Sequence, residues 1–188
     1  MYCPRCGTEV ESTIRKVSET YPVKGENITI QAHVRFCNCC GADLWDDDLD
    51  DANLLEAFAE YRRKHQLLQP EEIRMIREKY NLSQTAYARI LGFGDKTVTR
   101  YENGSVADAA QNNLMLLSQS PKNFKYLLER NKKKISVTDY ENAQAAIESL
   151  RCRVTYNPSK VRTIYSISDA AQVDFSTEPY YFGDVANG

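Results

Sequence analysis

The pattern Cys-x-x-Cys-Gly occurs twice in the first 41 residues, as Cys3-Pro4-Arg5-Cys6-Gly7 and as Cys37-Asn38-Cys39-Cys40-Gly41. No other feature restricts the fold of the chain as much. Two residues between thiolates let both sulfurs face one tetrahedral ion, and the glycine relaxes the backbone after the turn. If the two pairs meet, the segment between them must leave and return. It carries alternating stretches around residues 13–17 and 27–36, separated by Pro-Val-Lys-Gly-Glu-Asn, which predicts a β-hairpin. Four thiolates close the coordination sphere, so the expected group is one structural Zn²⁺ per chain, held by Cys3, Cys6, Cys37 and Cys40. A core this small needs such a clip. A redox dithiol is the rival reading of the same motif. Pairing Cys37 with Cys39 would spoil the match between the two motifs, so Cys39 is read as a spare thiol at the knuckle. His33 is read as an ordinary strand histidine.

Charge divides the chain. The overall balance is −2, yet residues 70–134 hold twelve Lys/Arg against seven Asp/Glu, a net +5, while residues 46–69 hold three against seven, a net −4. A basic central segment is where an anionic partner is expected to bind. With 42% hydrophobic and 27% charged residues the composition is that of a soluble globular protein. No apolar run reaches membrane-span length and the N-terminus lacks a signal-peptide pattern, so a cytoplasmic location without membrane attachment is expected. In a reducing compartment six cysteines point to metal or chemistry rather than disulfides.

Residues 1–45 are therefore assigned to the metal-binding domain. Residues 46–69 read as a linker containing a helix, with five aspartates at its start and Arg62, Arg63 and Lys64 at its end, which suits the helix dipole. Leu54, Leu55, Phe58 and Tyr61 form its apolar stripe, and its charges are expected to be solvated. From Pro70 to residue 130 the pattern becomes five short helices. Ile73, Ile76 and Tyr80 share one face of the first. Ser83 caps the second, Ala86 and Ile90 face inward, and Gly92 stops it; Asp95 is expected to cap the third. The second and third form a helix-turn-helix, whose later helix enters a DNA major groove by its N-terminal residues. That helix offers Lys96, Thr97, Thr99 and Arg100, with Val98 and Tyr101 turned inward. Gln84 and Thr85 stand where they can bond a phosphate. Leu114, Met115, Leu116 and Leu117, with Phe124, Tyr126, Leu127 and Leu128, put apolar groups on more than one helix face and predict a homodimer through this domain.

"LSQTAYARILG" followed by "TVTRYENG" resembles the helix-turn-helix of the phage-repressor (XRE) superfamily. Together with "CPRCG" and "CNCCG" the arrangement is similar to the MqsA/YgiT-type antitoxins over about residues 1–130. The resemblance implies an α+β architecture: a small β-hairpin zinc domain, a hinge, and an all-α, five-helix, phage-repressor-like domain that dimerises on double-stranded operator DNA. It matches Cys3, Cys6, Cys37 and Cys40 to zinc ligands and Arg100 to a base-reading arginine. Lys96 departs from the family, whose founding member has Asn there, and this puts the base preference in doubt. The resemblance also implies a protein toxin as partner, typically a ribonuclease, bound by the zinc domain. Strand addition at a free sheet edge is one route to such a complex.

Residues 131–188 form a C-terminal extension with a basic junction, a helix carrying Tyr140, Ala143, Ile147 and Leu150, and then an aromatic, acidic stretch. The ending suggests a piece of a longer chain, and the extension is read as a lead-in to a Panacea-like domain. Cys152 has no partner motif. The functions expected, in order, are a zinc-containing antitoxin repressing its own operon and a stand-alone regulator or prophage repressor with a structural or sensing zinc domain. Enzymatic activity is not expected, because four sulfurs close the metal site and neither histidine sits in a catalytic spacing.

Overall fold

The computed structural model describes residues 1–152; the expectations for the later part of the extension, including the Panacea-like lead-in and the Cys152 thiol, lie outside the described residues. The first sixty-odd residues fold around one hairpin. Strands β3 (Ser12–Val23) and β4 (Glu26–Cys37) pair antiparallel in register from Ser12↔Cys37 to Val23↔Glu26. The connecting turn is only Lys24-Gly25, both at positive φ (49° and 84°), the twist that two-residue hairpin loops require. It is shorter than the sequence suggested, because Pro22 lies inside β3. The strand tolerates it since β3 is an edge strand, and Pro22 falls in the phase whose backbone nitrogens point away from β4. The short strands β1 (Tyr2–Cys3) and β2 (Thr8–Glu9) pair with each other, and β5 (Asp43–Leu44) adds to the other side of β4 at Arg35 and Phe36.

Along β4, Ile28, Ile30 and Ala32 are buried while Thr29, Gln31 and His33 are exposed. The buried face packs on helix α1 (Asp47–Lys64), where Ala57 is buried and Phe58 and Tyr61 are partly so. Asp46 caps α1 by accepting the Leu49 N–H at 3.2 Å and also receives Arg35 at 2.6 Å. The expected apolar stripe is shifted. Leu54 and Leu55 are exposed, and Asn53, Ala57 and Arg62 are buried instead, because α1 lies against a strand edge rather than across a broad apolar surface. Arg62 is not a solvated helix end: it donates to the Gly104 carbonyl at 2.6 Å and to Gln69 Oε1 at 2.9 Å.

The remaining helices are α2 (Pro70–Glu78), α3 (Gln84–Leu91), α4 (Thr97–Glu102), α5 (Ala109–Ser118), α6 (Pro121–Asn131) and α7 (Val137–Cys152), with a 3₁₀ turn at Lys132–Lys134. Their starts follow from capping. Pro70 and Pro121 occupy first turns, Ser83 accepts the Ala86 N–H at 3.1 Å, and Asp108 accepts the Gln111 N–H at 2.8 Å. Gly92, at φ 77°, ends α3. Asp95 does not cap α4 as expected. Its carboxylate is engaged by Arg89 at 2.7 and 2.9 Å, and α4 instead grows out of a turn closed by Thr97 N–H to Gly94 C=O. Inside, Tyr80 stacks on Phe124 with centroids 3.8 Å apart, surrounded by Ile73, Tyr87, Ile90, Val98, Met115 and Leu128. Ala143 and Ile147 of α7 enter the same core. The architecture is thus a small antiparallel sheet with a cysteine cluster, followed by a helix-turn-helix domain. No helix among the described residues is long and apolar enough to cross a membrane.

Candidate functional site

Two knuckles of nearly identical backbone bring the cysteines together. In the first, Gly7 N–H bonds Cys3 C=O at 2.9 Å and Cys6 N–H points at Cys3 Sγ at 3.4 Å. In the second, Gly41 N–H bonds Cys37 C=O at 3.0 Å, and the N–H groups of Cys39 and Cys40 both point at Cys37 Sγ at 3.4 Å. Gly7 and Gly41 share a φ of 71°, so each knuckle needs its glycine. Across the knuckles Cys3 Sγ lies 3.6 Å from Cys40 Sγ, and Cys6 Sγ 3.9 Å from Cys37 Sγ; all four ligand atoms fall within 4.8 Å of one another. Sulfurs at the corners of a tetrahedron ~2.3 Å from an ion stand about 3.8 Å apart, so this set fits a four-coordinate metal. The electrostatics agree. N–H donation from Cys40 and then Cys39 pulls the Cys37 thiol down to about 6, while the Cys40 and Cys3 sulfurs hold the Cys6 proton and push it up. Cys39 is exposed and contributes its N–H, not its sulfur, to the group of four. His33 is absent from that group too.

The helix-turn-helix residues divide into exposed and internally committed. Lys96 and Arg100 are exposed, one turn apart, with Arg100 N–H bonded to Lys96 C=O at 3.1 Å. Thr85 and Thr99 are half-buried. Thr97, expected on the outer face, is buried, because it stands four residues before Tyr101 and shares that residue's inward side. Gln84 is tied at both ends: its Nε2 donates to Glu102 Oε2 at 2.8 Å, and its Oε1 accepts from Thr99 Oγ1 at 2.8 Å. The centre of this arrangement is Glu102, a buried carboxylate bonded by Arg77 at 2.6 and 2.9 Å, with Arg74 at 3.6 Å. Burial pushes its carboxyl up, but Arg77 and Gln84 outweigh that and leave it below its ordinary value. Glu102 therefore locks α4 to α2 and α3. Sequence reasoning missed both arginines; the signal was an acid in an otherwise basic recognition segment, which must be neutralised from a neighbouring helix.

A protein-family model described as the antitoxin component of a bacterial toxin–antitoxin system, MqsA, matches residues 1–130. The chain belongs to the MqsA antitoxin family. No curated protein matches it. The match spans the cysteine cluster and the helix-turn-helix and ends one residue short of the α6 terminus, so α7, which completes the helical core, lies outside the family's matched region. Family membership gives the four-cysteine cluster its context: antitoxins of this type are paired with a toxin. Between α5 and α6 this antitoxin also carries an open groove of about 440 Å³, lined by Leu114, Leu117, Lys122, Asn123, Tyr126 and Leu127. Leu117 is 57% and Tyr126 65% exposed, a large apolar surface for a solvated helix pair.

Proposed function

We propose that this antitoxin holds one structural Zn²⁺ through Cys3, Cys6, Cys37 and Cys40, binds operator DNA as a homodimer to repress its own operon, and neutralises a protein toxin in the cytoplasm. The observation that carries the reading is the exposure of Lys96 and Arg100 side by side on a helix whose inner face is clamped by Glu102. A soft, all-sulfur donor set suits zinc and leaves no position open for substrate or water, so the ion supplies a cross-link. Bound there, it draws the two knuckles into one unit without taking part in a reaction.

Arg100 is placed to form a bidentate pair with guanine, Lys96 to reach guanine or phosphate, and Thr99 and Thr85 to support phosphate contacts. Gln84 and Thr97 act from behind: Gln84 fixes Thr99, and Thr97 anchors the start of α4. Arg74, half-exposed beside Glu102, adds a cation the sequence did not suggest. The α5–α6 groove is the surface through which two copies would pair and present two recognition helices. Toxin binding is assigned to the sheet domain.

Two measurements test the reading. In a gel-shift assay with the chain's own upstream DNA, Arg100→Ala should weaken binding by about 1–3 kcal/mol and relax one position in each half-site. Unchanged binding would sink the recognition-helix assignment. The product of the adjacent gene should co-purify with the chain and be toxic when expressed alone; a harmless or absent companion would remove the antitoxin role from this chain.

A further inference from the structure

The outer edge of β4 is satisfied along only part of its length. Antiparallel pairing aims the backbone N–H and C=O of successive residues alternately toward and away from the partner strand. Three positions fix the phase. Cys37 N–H donates to Ala42 C=O at 2.8 Å, and Arg35 pairs with Leu44 of β5. At His33 the side-chain amide of Asn53 stands in for a strand: Oδ1 accepts the His33 N–H at 2.9 Å, and Nδ2 donates to the His33 C=O at 3.0 Å. Residues 37, 35 and 33 thus face away from β3, and Gln31 and Thr29, continuing the same phase, face away as well. Both are exposed, and neither has a ladder partner on that side. They open into a cleft of about 560 Å³ between β4 and α1, whose walls include His33, Asn53, Glu56 and Glu60.

We propose that this cleft seats an extended segment of a second protein, added to β4 as a strand, with lysine or arginine directed at Glu56 and Glu60 and uncharged polar residues at alternate positions. Two donors and two acceptors repeating every second residue are what a polypeptide backbone satisfies. Asn53 aligns the incoming strand by continuing the line that β5 begins. The helix wall sets the charge. Glu56 and Glu60 share a single guanidinium, Arg63, at 2.7 Å each, so two carboxylates face one cation. On the opposite wall stands Lys16, which disfavours a second row of cations. The free edge of β3 is the less suitable template, since its outward phase includes Lys16 and Pro22, residues that blunt sheet edges.

The full chain, labelled with ¹⁵N, is titrated with the acetylated, amidated peptide Thr-Lys-Thr-Lys-Thr-Lys-Thr. Binding should slow amide exchange at Thr29 and Gln31 by about tenfold and shift the resonances of residues 29–33 and 53–60. Two further peptides carry N-methyl groups, one on every lysine nitrogen and the other on every threonine nitrogen. Strand addition uses one set of amides, so one of these peptides should lose binding and the other keep it. Replacing lysine with glutamate in the peptide, or Glu56→Lys with Glu60→Lys in the chain, should weaken the complex severalfold. The proposal is overturned if both N-methylated peptides bind like the parent, if protection appears only along residues 14–20 of β3, or if no exchange is slowed. The peptide controls decide the matter even if the charge-reversed chain folds poorly.

Discussion

The sheet region and the helical region of this antitoxin solve the same problem by unlike means. Around the cysteines the buried apolar set is Cys3, Cys37 and Leu44, with Cys6, Val10 and Cys40 only partly covered. The helical core has eighteen buried members, from Leu68 to Ile147, and includes a stacked Tyr80–Phe124 pair. A few side chains cannot offset the conformational entropy of some forty residues, whereas eighteen packed across six helices can. One region is thus expected to hold together by cross-linking four sulfurs and the other by excluding water. The difference teaches that perturbations of metal and of packing should act on separate parts of one chain.

The largest expected effect follows from removing one sulfur. Cys40→Ser should lose the single metal equivalent and unfold the knuckles, leaving the helical transition in place; Cys39→Ser, altering an exposed thiol outside the group of four, should retain the metal. Metal content per chain and amide spectra of the two regions read this directly. Equal metal loss from both variants would undo the ligand choice, and melting of the helices with the cysteines would erase the comparison itself.

Next comes the converse. Phe124→Ala removes the ring stacked on Tyr80 and should cost about 3–5 kcal/mol of helical stability, seen as a lower denaturant midpoint. The metal content should not change. A parallel loss of metal would mean that the cysteine region leans on the helical core.

Acid should separate the regions in a third way. The folded-state pKa of Glu102 is depressed, so its contribution is present above the ordinary carboxyl range and is lost as pH falls through the lowered value. The helical midpoint should therefore drop on acidification, and Glu102→Gln should flatten that dependence while lowering stability at neutral pH. A wild-type slope that persists in the variant would assign the acid sensitivity elsewhere.

What the sequence disclosed follows the same division. The cysteine spacing announced both knuckles because a tetrahedral ion tolerates few alternatives, and the helix caps at Ser83 and Gly92 are local chemistry written in consecutive residues. What stayed hidden depends on neighbours distant in the chain. Asp95 looked like a cap until Arg89 claimed it, and Thr97 looked like a surface residue until α4 was seen to roll it inward. Leu54 and Leu55 looked like the buried stripe of α1, yet the strand edge selected Asn53 and Ala57. Periodicity reports how apolar groups are distributed around a helix, not which backbone groups across the gap need a partner.

Arg62 is the residue that joins the two regions, and it yields the smallest effect and the sharpest test. The sequence placed it among the cations of a helix end. In the fold it is 4% exposed, and burial lowers its pKa. It donates to the Gly104 carbonyl in the turn that follows α4, against which Leu55 also packs so closely that a Cβ at Gly104 would lie 2.6 Å from its Cδ2. Arg62→Met keeps much of the aliphatic volume but leaves that carbonyl without its donor, which should cost about 1–3 kcal/mol. Lys24, whose Nζ reaches the Ala107 carbonyl at 3.3 Å from the hairpin tip, serves as a control, since truncating a longer and more solvated contact should change little. If Arg62→Met lowers both the sheet and the helical transitions, the two regions are coupled through this hydrogen bond. If only one moves, each region is stabilised on its own, and α1 merely rests against the turn after α4.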